Sequence, residues 1–469
     1  MAIGLFSDTD SPPSFEGRFR WATFFLPLVV IGIAQGTVLS LIASTQERLT
    51  PVNGTLIVCL LTVSLSLQLL GGPGQWRRAA SLALPFVGVI GSVTFYRLVS
   101  LGEWQITGEG QFFLTIFWFL LAGPIVWLVL MTFAQAWLQR DGLASSFSER
   151  FDHFAWTTLP LVAFAIGFAA LAMLAVMGAG MLLSRLDMPG LLGAVSTPSV
   201  FLALAFGFYG AAVALLRDYG GLFDRLSIGV RLACRGLMVV YCFFAVLFLG
   251  SIPFNGLVAV SGGQSTALVL LLLGFAGVLL FNGAYRHRGQ EDPSALWKAC
   301  GLVTVLAIPA YALIGILAVW LRVHQYGLTP ERFTMFVCLA LLTVAGLVYL
   351  GSLIWHALPF RTGSWMAGIN AVNPSLAMTI AIVLLMMQTA LLDPVAWTSK
   401  NQYDRIETGR ASADAFDYGY LYFRLGEHGR AAFQKLERLE THPQWQTIRR
   451  EVDQTRRFTT YKAYRQGRL

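Results

Sequence analysis

Eleven stretches of about twenty mostly apolar residues, separated by short polar connections, constrain this chain more than any other feature. They lie at residues 21–43, 55–70, 80–100, 112–138, 156–183, 199–216, 232–254, 266–285, 296–321, 333–355 and 373–392. Hydrocarbon offers the backbone no hydrogen-bond partners, so stretches of this kind must bond internally as helices. The expected fold class is therefore all-α: a polytopic transmembrane helix bundle of about 11 spans with a small helical extramembrane tail. Composition agrees, because only 12% of residues are charged, about half the share of a soluble domain.

The first stretch exceeds the roughly 7 to 15 apolar residues of a cleaved signal peptide, so it reads as a transmembrane helix behind a polar leader at 1–20. The chain changes solvent near its other end. From Asp393 onward lie 14 of the 33 Lys and Arg residues and 10 of the 25 acidic ones. The organisation expected is a leader (1–20), a membrane domain (21–392) and a polar helical tail (393–469).

Cytoplasmic loops are enriched in Lys and Arg, which gives orientation an independent reading. With the N-terminus cytoplasmic, fourteen basic residues fall inside: Arg18, Arg20, Arg77, Arg78, Arg140, Arg150, Arg217, Arg225, Arg231, Arg235, Arg286, Arg288, Lys298 and Arg361. Only Arg48, Arg97, Arg185, Arg322 and Arg332 fall outside, tail excluded, and an odd number of spans carries the tail outside as well. The net charge of +8 is accounted for by loop retention and calls for no nucleic-acid partner. Trp21, Trp104, Trp297, Trp320, Trp355 and Trp397 fall near span ends, where amphipathic rings favour headgroups.

The tail reads as a helical hairpin plus one helix. Ser412 can cap a helix over 413–425 that Gly426 stops, Gly429 reopens a second through Glu440, and Pro443 begins a third through about Arg457, leaving a basic end to fray.

The span interiors hold almost no ionisable group, which argues against proton-coupled transport. Pro85, Pro124, Pro160, Pro309 and the glycine pairs Gly178/Gly180 and Gly207/Gly210 read as kinks and close-packing points. The sequence shows no nucleophile elbow, zinc-protease motif, phosphate loop or dinucleotide fingerprint, and the five cysteines form no CxxC pair. No catalytic residue, metal site or cofactor is assigned on these grounds.

Three polar features stand out. The loop Arg322-Val-His324-Gln-Tyr326-Gly327-Leu-Thr329-Pro-Glu331-Arg332 contains a helix start in Thr329, Pro330 and Glu331, but capping does not account for Arg322, His324, Tyr326 and Arg332. Those residues suit either a phosphate or carboxylate at the membrane surface or contacts with the tail, with Asp404, Glu407, Asp414 and Asp417 as acidic partners. Asn373-Pro374-Ser375 reads as the start of the last span. The tail segment Asn401 to Arg405 followed by Asp417 and Tyr420 offers further contacts, so Asn401, Asp404, Arg405, Asp417 and Tyr420 are the tail residues proposed to meet the loop.

Taken together, the Tyr326-Gly-Leu-Thr-Pro-Glu-Arg332 loop, Asn-Pro-Ser at 373–375 and the tail residues Asn401, Arg405, Phe416-Asp417 and Tyr420-Leu421 resemble the bacterial multi-span proteins of the domain of unknown function 4153 family. That resemblance covers roughly the last two thirds of the chain. It implies a multi-pass protein of the bacterial inner membrane and no particular activity. The expectation is an uncharacterised cell-envelope interaction or assembly component whose outer loop and periplasmic tail meet membrane lipid and a possible envelope protein partner. The alternative is a transporter or flippase-like protein for an apolar or lipidic substrate. An enzyme acting on lipid-linked substrates stands last, for want of a nucleophile or metal site.

Overall fold

The computed structural model describes residues 25–44, 50–101, 108–138, 146–218, 220–255, 264–285, 294–357 and 365–467. The leader, Trp104 and the orientation residues Arg18, Arg20, Arg48, Arg140, Arg286, Arg288 and Arg361 lie outside the described residues.

The protein is all-α and multi-pass: among the described residues there is no strand, and eleven helical stretches are long and apolar enough to cross a membrane. Seventeen helices are described. In chain order they are α1 Leu26–Ser44, α2 Pro51–Leu70, α3 Trp76–Leu101, α4 Gly108–Phe117, α5 Gly123–Leu138, α6 Phe147–Ser184, α7 Gly190–Val195, α8 Pro198–Asp218 and α9 Gly220–Asn255, then α10 Gln264–Ala284, α11 Ala295–Tyr326, α12 Pro330–Ala357 and α13 Trp365–Met386. Four more belong to the tail: α14 Pro394–Glu407, α15 Gly426–Leu436, α16 Trp445–Thr455 and α17 Tyr461–Gly467. Large apolar side chains stand exposed along the spanning helices, among them Leu120, Leu171, Leu232 and Phe254. Water would penalise such a surface, whereas lipid tails solvate it.

Two compact units divide the chain, and α2, α3 and α6 contribute to both. The smaller is built on the antiparallel pair α1 and α8. A Cβ on Gly32 would fall 2.1 Å from the Phe206 carbonyl oxygen, one on Gly36 2.2 Å from that of Leu202, and one on Gly210 2.3 Å from that of Leu28. Small residues thus let the two backbones touch, which replaces the hydrophobic drive that lipid cannot supply. Arg217 donates from Nη1 to the Gln68 and Gly71 carbonyls at 2.8 and 2.7 Å, placing a cation on the negative end of α2.

The larger unit holds α9 to α13, most of α3, α4 and α5, and the tail. Helix α11 is its centre: 56% of its most apolar stretch is buried, against 22–39% for the other spans among the described residues. Its Val305, Ile308 and Tyr311 pack with Met238, Phe281, Leu342 and Tyr349 from three neighbours. Pro124 withholds the amide hydrogen that an α-helix would use, and the chain answers with a π-helical turn at Trp118–Ala122, closed by Gly123 N–H on the Trp118 carbonyl. That turn aims Trp118 inward, where Nε1 donates to Thr94 Oγ1 at 3.0 Å.

Several sequence expectations need correction. Asn373-Pro374-Ser375 does not open the last span, because α13 begins at Trp365 and carries Pro374 in its interior. Asn373 bonds between helices instead: its Oδ1 accepts from Tyr349 Oη at 2.6 Å, its Nδ2 donates to Asn282 Oδ1 at 2.8 Å, and Asn282 Nδ2 donates to Tyr349 Oη at 2.9 Å. Helices α6 and α9 also start 9 and 12 residues earlier than hydropathy placed them. These N-terminal extensions carry charges that hydropathy assigns to loops, such as Arg150 and Arg231, because a helix need not stop where the hydrocarbon does.

In the tail, residues 412–417 form turns rather than a helix, and Tyr420–Arg424 is a π-helical turn. Gly426, at φ +57°, opens α15, while Gly429 packs against the Leu421 carbonyl. The basic end is helical at Tyr461–Gly467, where Tyr464 is 2% exposed and packs against Gly419. Finally, the Asn401 to Arg405 segment belongs to a full helix, α14; Asp393 caps it by accepting Val395 N–H at 2.8 Å, with Pro394 in its first turn.

Candidate functional site

Tail and membrane helices share one core. Leu114 of α4 is fully buried among Val395, Ile406, Phe416, Tyr418, Leu421, Leu425, Phe433, Leu436, Ile448 and Val452, with Phe113 beside it. Four short helices could not bury these residues by themselves. Contact is close enough that a Cβ on Gly110 would lie 3.1 Å from Pro330 Cγ and 3.3 Å from both the Arg424 carbonyl oxygen and Val395 Cγ2. The start of α4, the start of α12 and the tail therefore meet at one end of the larger unit.

At that end the 322–332 loop docks on α14. Gly327 ends α11 at φ +82°, a conformation that L side chains rarely adopt, with its N–H on the Val323 carbonyl at 2.8 Å. That turn presents Leu328 to α14, where Leu328 N–H donates to Asn401 Oδ1 at 2.9 Å and Gln402 Nε2 donates to the Leu328 carbonyl at 2.9 Å. Arg405 reaches back from α14 and donates from Nη2 to the Gln325 carbonyl at 3.2 Å. Thr329 caps α12, accepting Arg332 N–H at 3.3 Å, and Arg332 Nη1 closes the loop on the Gly327 carbonyl at 2.7 Å. Arg322 and Arg332 each lie within 6 Å of the Tyr326 ring centroid, and His324 packs against Trp320 with centroids 5.7 Å apart.

Of the residues singled out in the sequence, Arg322, Tyr326, Gly327, Thr329, Arg332, Asn401 and Arg405 converge here. Tyr420 stands close to Glu331, and burial first, then that carboxylate, raises the pKa of its hydroxyl above the usual tyrosine value. The acidic partners proposed for the loop have other roles. Glu407 accepts from Tyr403 Oη, Asp414 faces Arg450, and Asp417 accepts Tyr420 N–H and Tyr461 Oη inside the tail. Asp404 gives its backbone carbonyl to Thr408 N–H. Amides and one guanidinium make the junction, a solution that leaves fewer desolvated charges to compensate than ion pairs would.

No family model, curated protein or solved structure matches this chain.

A second cluster beneath the tail is absent from the sequence reading. Arg97, counted there as an outer-loop charge, is fully buried near the end of α3. It donates from Nε to the Gln388 carbonyl at 2.8 Å and from Nη2 to that of Met387 at 3.2 Å, satisfying the last carbonyls after α13. Asp393, 2% exposed, bears on it electrostatically and pairs with His428 Nε2 at 3.6 Å. Burial alone would raise the Asp393 pKa, but the His428 hydrogen bond, Arg97 and Val395 N–H together hold it below the ordinary carboxylate value. The His428 pKa is raised, chiefly by that same hydrogen bond, against the opposing effect of burial. Arg97, Asp393 and His428 thus tie α3 and the end of α13 to α14 and α15. A single charged residue three positions from the end of an apolar stretch carries no sign of a partner 291 residues away.

Among the described residues no group of three or more His, Cys, Asp or Glu is placed to hold a metal ion. The polar groups that hold this end together are amides and guanidiniums, with exposed rings beside them.

Proposed function

We propose that this protein is a bacterial inner-membrane component of the cell envelope, akin to the domain of unknown function 4153 proteins that its loop and tail resemble, and that loop and tail form one periplasmic platform for an envelope protein partner. One observation carries the reading: the tail closes its core over Leu114 and fastens the 322–332 loop through Asn401, Gln402 and Arg405. Ordering a tail this fully offsets the entropy that a flexible segment would lose on binding, which suits a preformed docking surface. Photo-crosslinkers at exposed platform positions such as Tyr326 and Arg410 should capture one discrete envelope protein, and crosslinkers on the lipid-facing Leu171 should not. Absence of any discrete adduct from the platform, with the protein correctly inserted, rejects the reading.

A transporter or flippase-like role for a lipidic substrate draws on a different feature of the larger unit. A groove of about 590 Å³ opens beside Pro374 of α13, lined by Phe133, Phe147, Ser148, Ala371, Ser375 and Met378 among others. Accumulation or scrambling of labelled lipid in proteoliposomes that is abolished by Ala371→Trp would favour this role over the platform.

A further inference from the structure

We propose that Cys242 and Cys300 form a two-sulfur site for a soft monovalent metal ion, Cu(I) by the chemistry of its donors, with Met238 as a third sulfur. The site lies outside the loop–tail platform and draws on none of its residues.

By spacing alone the five cysteines are scattered small hydrophobes, yet helix packing brings two of them together. Cys242 stands on α9 and Cys300 on α11, 58 residues further on, and both are 7% exposed in one core of the larger unit. Cys242 Sγ lies 3.2 Å from the Cys300 carbonyl oxygen and 3.4 Å from Thr304 Oγ1, and the two thiols interact side chain to side chain. Met238 is fully buried in the same core, four residues before Cys242, hence on the same face of α9 and about 6 Å away along its axis. Cys234, four residues earlier again, packs on that core too, its sulfur 2.5 Å from where a Cβ on Gly283 would stand. Helix α9 thus presents sulfur at every fourth residue, and α11 supplies another opposite the last.

Thiolate and thioether donors select soft ions. Zinc in a structural site takes four ligands and iron–sulfur clusters take four cysteines, and among the described residues no group of three or more His, Cys, Asp or Glu is placed to supply them. Two thiolates and a thioether suit Cu(I), which is content with two or three donors. Each thiol gives up its proton as its sulfur binds, so the bis-thiolate complex carries one net negative charge. The Cys300 carbonyl keeps a donor when the Cys242 proton leaves, because Thr304 Oγ1 also donates to it at 2.8 Å. Arg235 sits seven residues before Cys242, about 10 Å along α9. It donates from Nε to the Ala284 carbonyl at 3.1 Å and lies 5.6 Å from the ring centroid of Trp297, three residues before Cys300. One positive charge is therefore held on the same side of both cysteines, where it offsets the charge of the complex.

The test is Cu(I) binding to the full-length protein in detergent, under anaerobic conditions with bicinchoninate as the competing chelator. The parent should bind one equivalent, and X-ray absorption of that sample should show sulfur alone around the metal. Cys242→Ser and Cys300→Ser should each weaken binding by more than the roughly 10- to 100-fold that outer-shell changes cost, and Met238→Leu by less than either. Cys59→Ser and Cys338→Ser, on α2 and α12, should bind as the parent does. Unshifted thermal midpoints of the metal-free variants establish that serine does not unfold the bundle, and the absorption spectrum of the parent needs no variant at all. Nitrogen or oxygen neighbours in that spectrum overturn the site. So does a parent that binds no stoichiometric Cu(I), binding that survives in the double variant of Cys242 and Cys300, or an equal loss in Cys59→Ser and Cys338→Ser.

Discussion

Replacing Arg97 by methionine should loosen the base of the tail although no tail residue is changed. The arginine is fully buried, makes hydrogen bonds of 2.8 and 3.2 Å to two carbonyls, and offsets the charge of Asp393. Methionine fills much of the same volume but leaves both carbonyls without their donor and the carboxylate with only His428 and Val395 N–H as partners. Breaking one side of a buried charged pair costs about 3–5 kcal/mol. Headgroup-level water can reach an opened helix end, so the lower figure applies, and about 3 kcal/mol corresponds to roughly a 150-fold rise in the open population. Ser399→Cys provides the probe: it is isosteric, 3% exposed, and sits on α14. Labelling of that thiol, read by mass on the tail peptide so that the five native cysteines do not interfere, follows the open population when reclosing is fast. Arg97→Met should accelerate labelling by about two powers of ten. Adding Asp393→Asn should recover part of the loss, because asparagine still caps α14 while the buried charge that Arg97 helped to offset is gone. Identical labelling in the parent and Arg97→Met would refute the reasoning, and so would a double variant that labels as fast as the single one.

Other outcomes follow from the same geometry. Gly327→Ala forces a side chain into φ +82° and against Arg405 and Gln402; the strain alone costs about 1–3 kcal/mol, and Ser399→Cys labelling should rise accordingly, whereas Gly351→Ala, with open space around its Cβ position, should leave it unchanged. The His428–Asp393 pair should make stability depend on pH. His428 has a folded-state pKa raised above 6.5, so its contribution is complete below that value and is lost as pH rises through the folded pKa; Asp393, depressed below 3.8, contributes above that value and loses its contribution in stronger acid. The thermal midpoint of the parent should therefore exceed that of His428→Gln by more at pH 6 than at pH 8, modestly because the imidazole is half exposed; a gap that widens with rising pH contradicts the assignment. Asn373→Ala removes two interhelical hydrogen bonds and should lower stability by about 0.6–1.7 kcal/mol, with no change in Ser399→Cys labelling, since it acts on α10, α12 and α13 and not on the tail.

Local signals in this chain were reliable where a single helix could satisfy them. Thr329-Pro330-Glu331 starts α12 as its capping chemistry requires, and Gly327 makes the turn before it, because a cap is settled by residues within one turn of each other. Misreadings came where the partner was remote. Asn373-Pro374-Ser375 has the look of a cap, yet Asn373 is held by Tyr349 and Asn282. Ser412 also suits a cap, but the helix it would begin gives way to turns that bury Phe416 and Tyr418.

By itself the sequence determined the membrane character of this protein, its all-α class and the number of apolar stretches. Those follow from hydropathy and from the backbone's need for internal hydrogen bonds in lipid, which act residue by residue along the chain. Only the tertiary structure decided that the tail is an integral layer of the larger unit, that its fastening to the loop is made by amides, and that Arg97 is a buried fastener and not a loop charge. Each of these depends on groups tens to hundreds of residues apart meeting at one end of a helix array, and a charge or amide has no local pattern that names its distant partner.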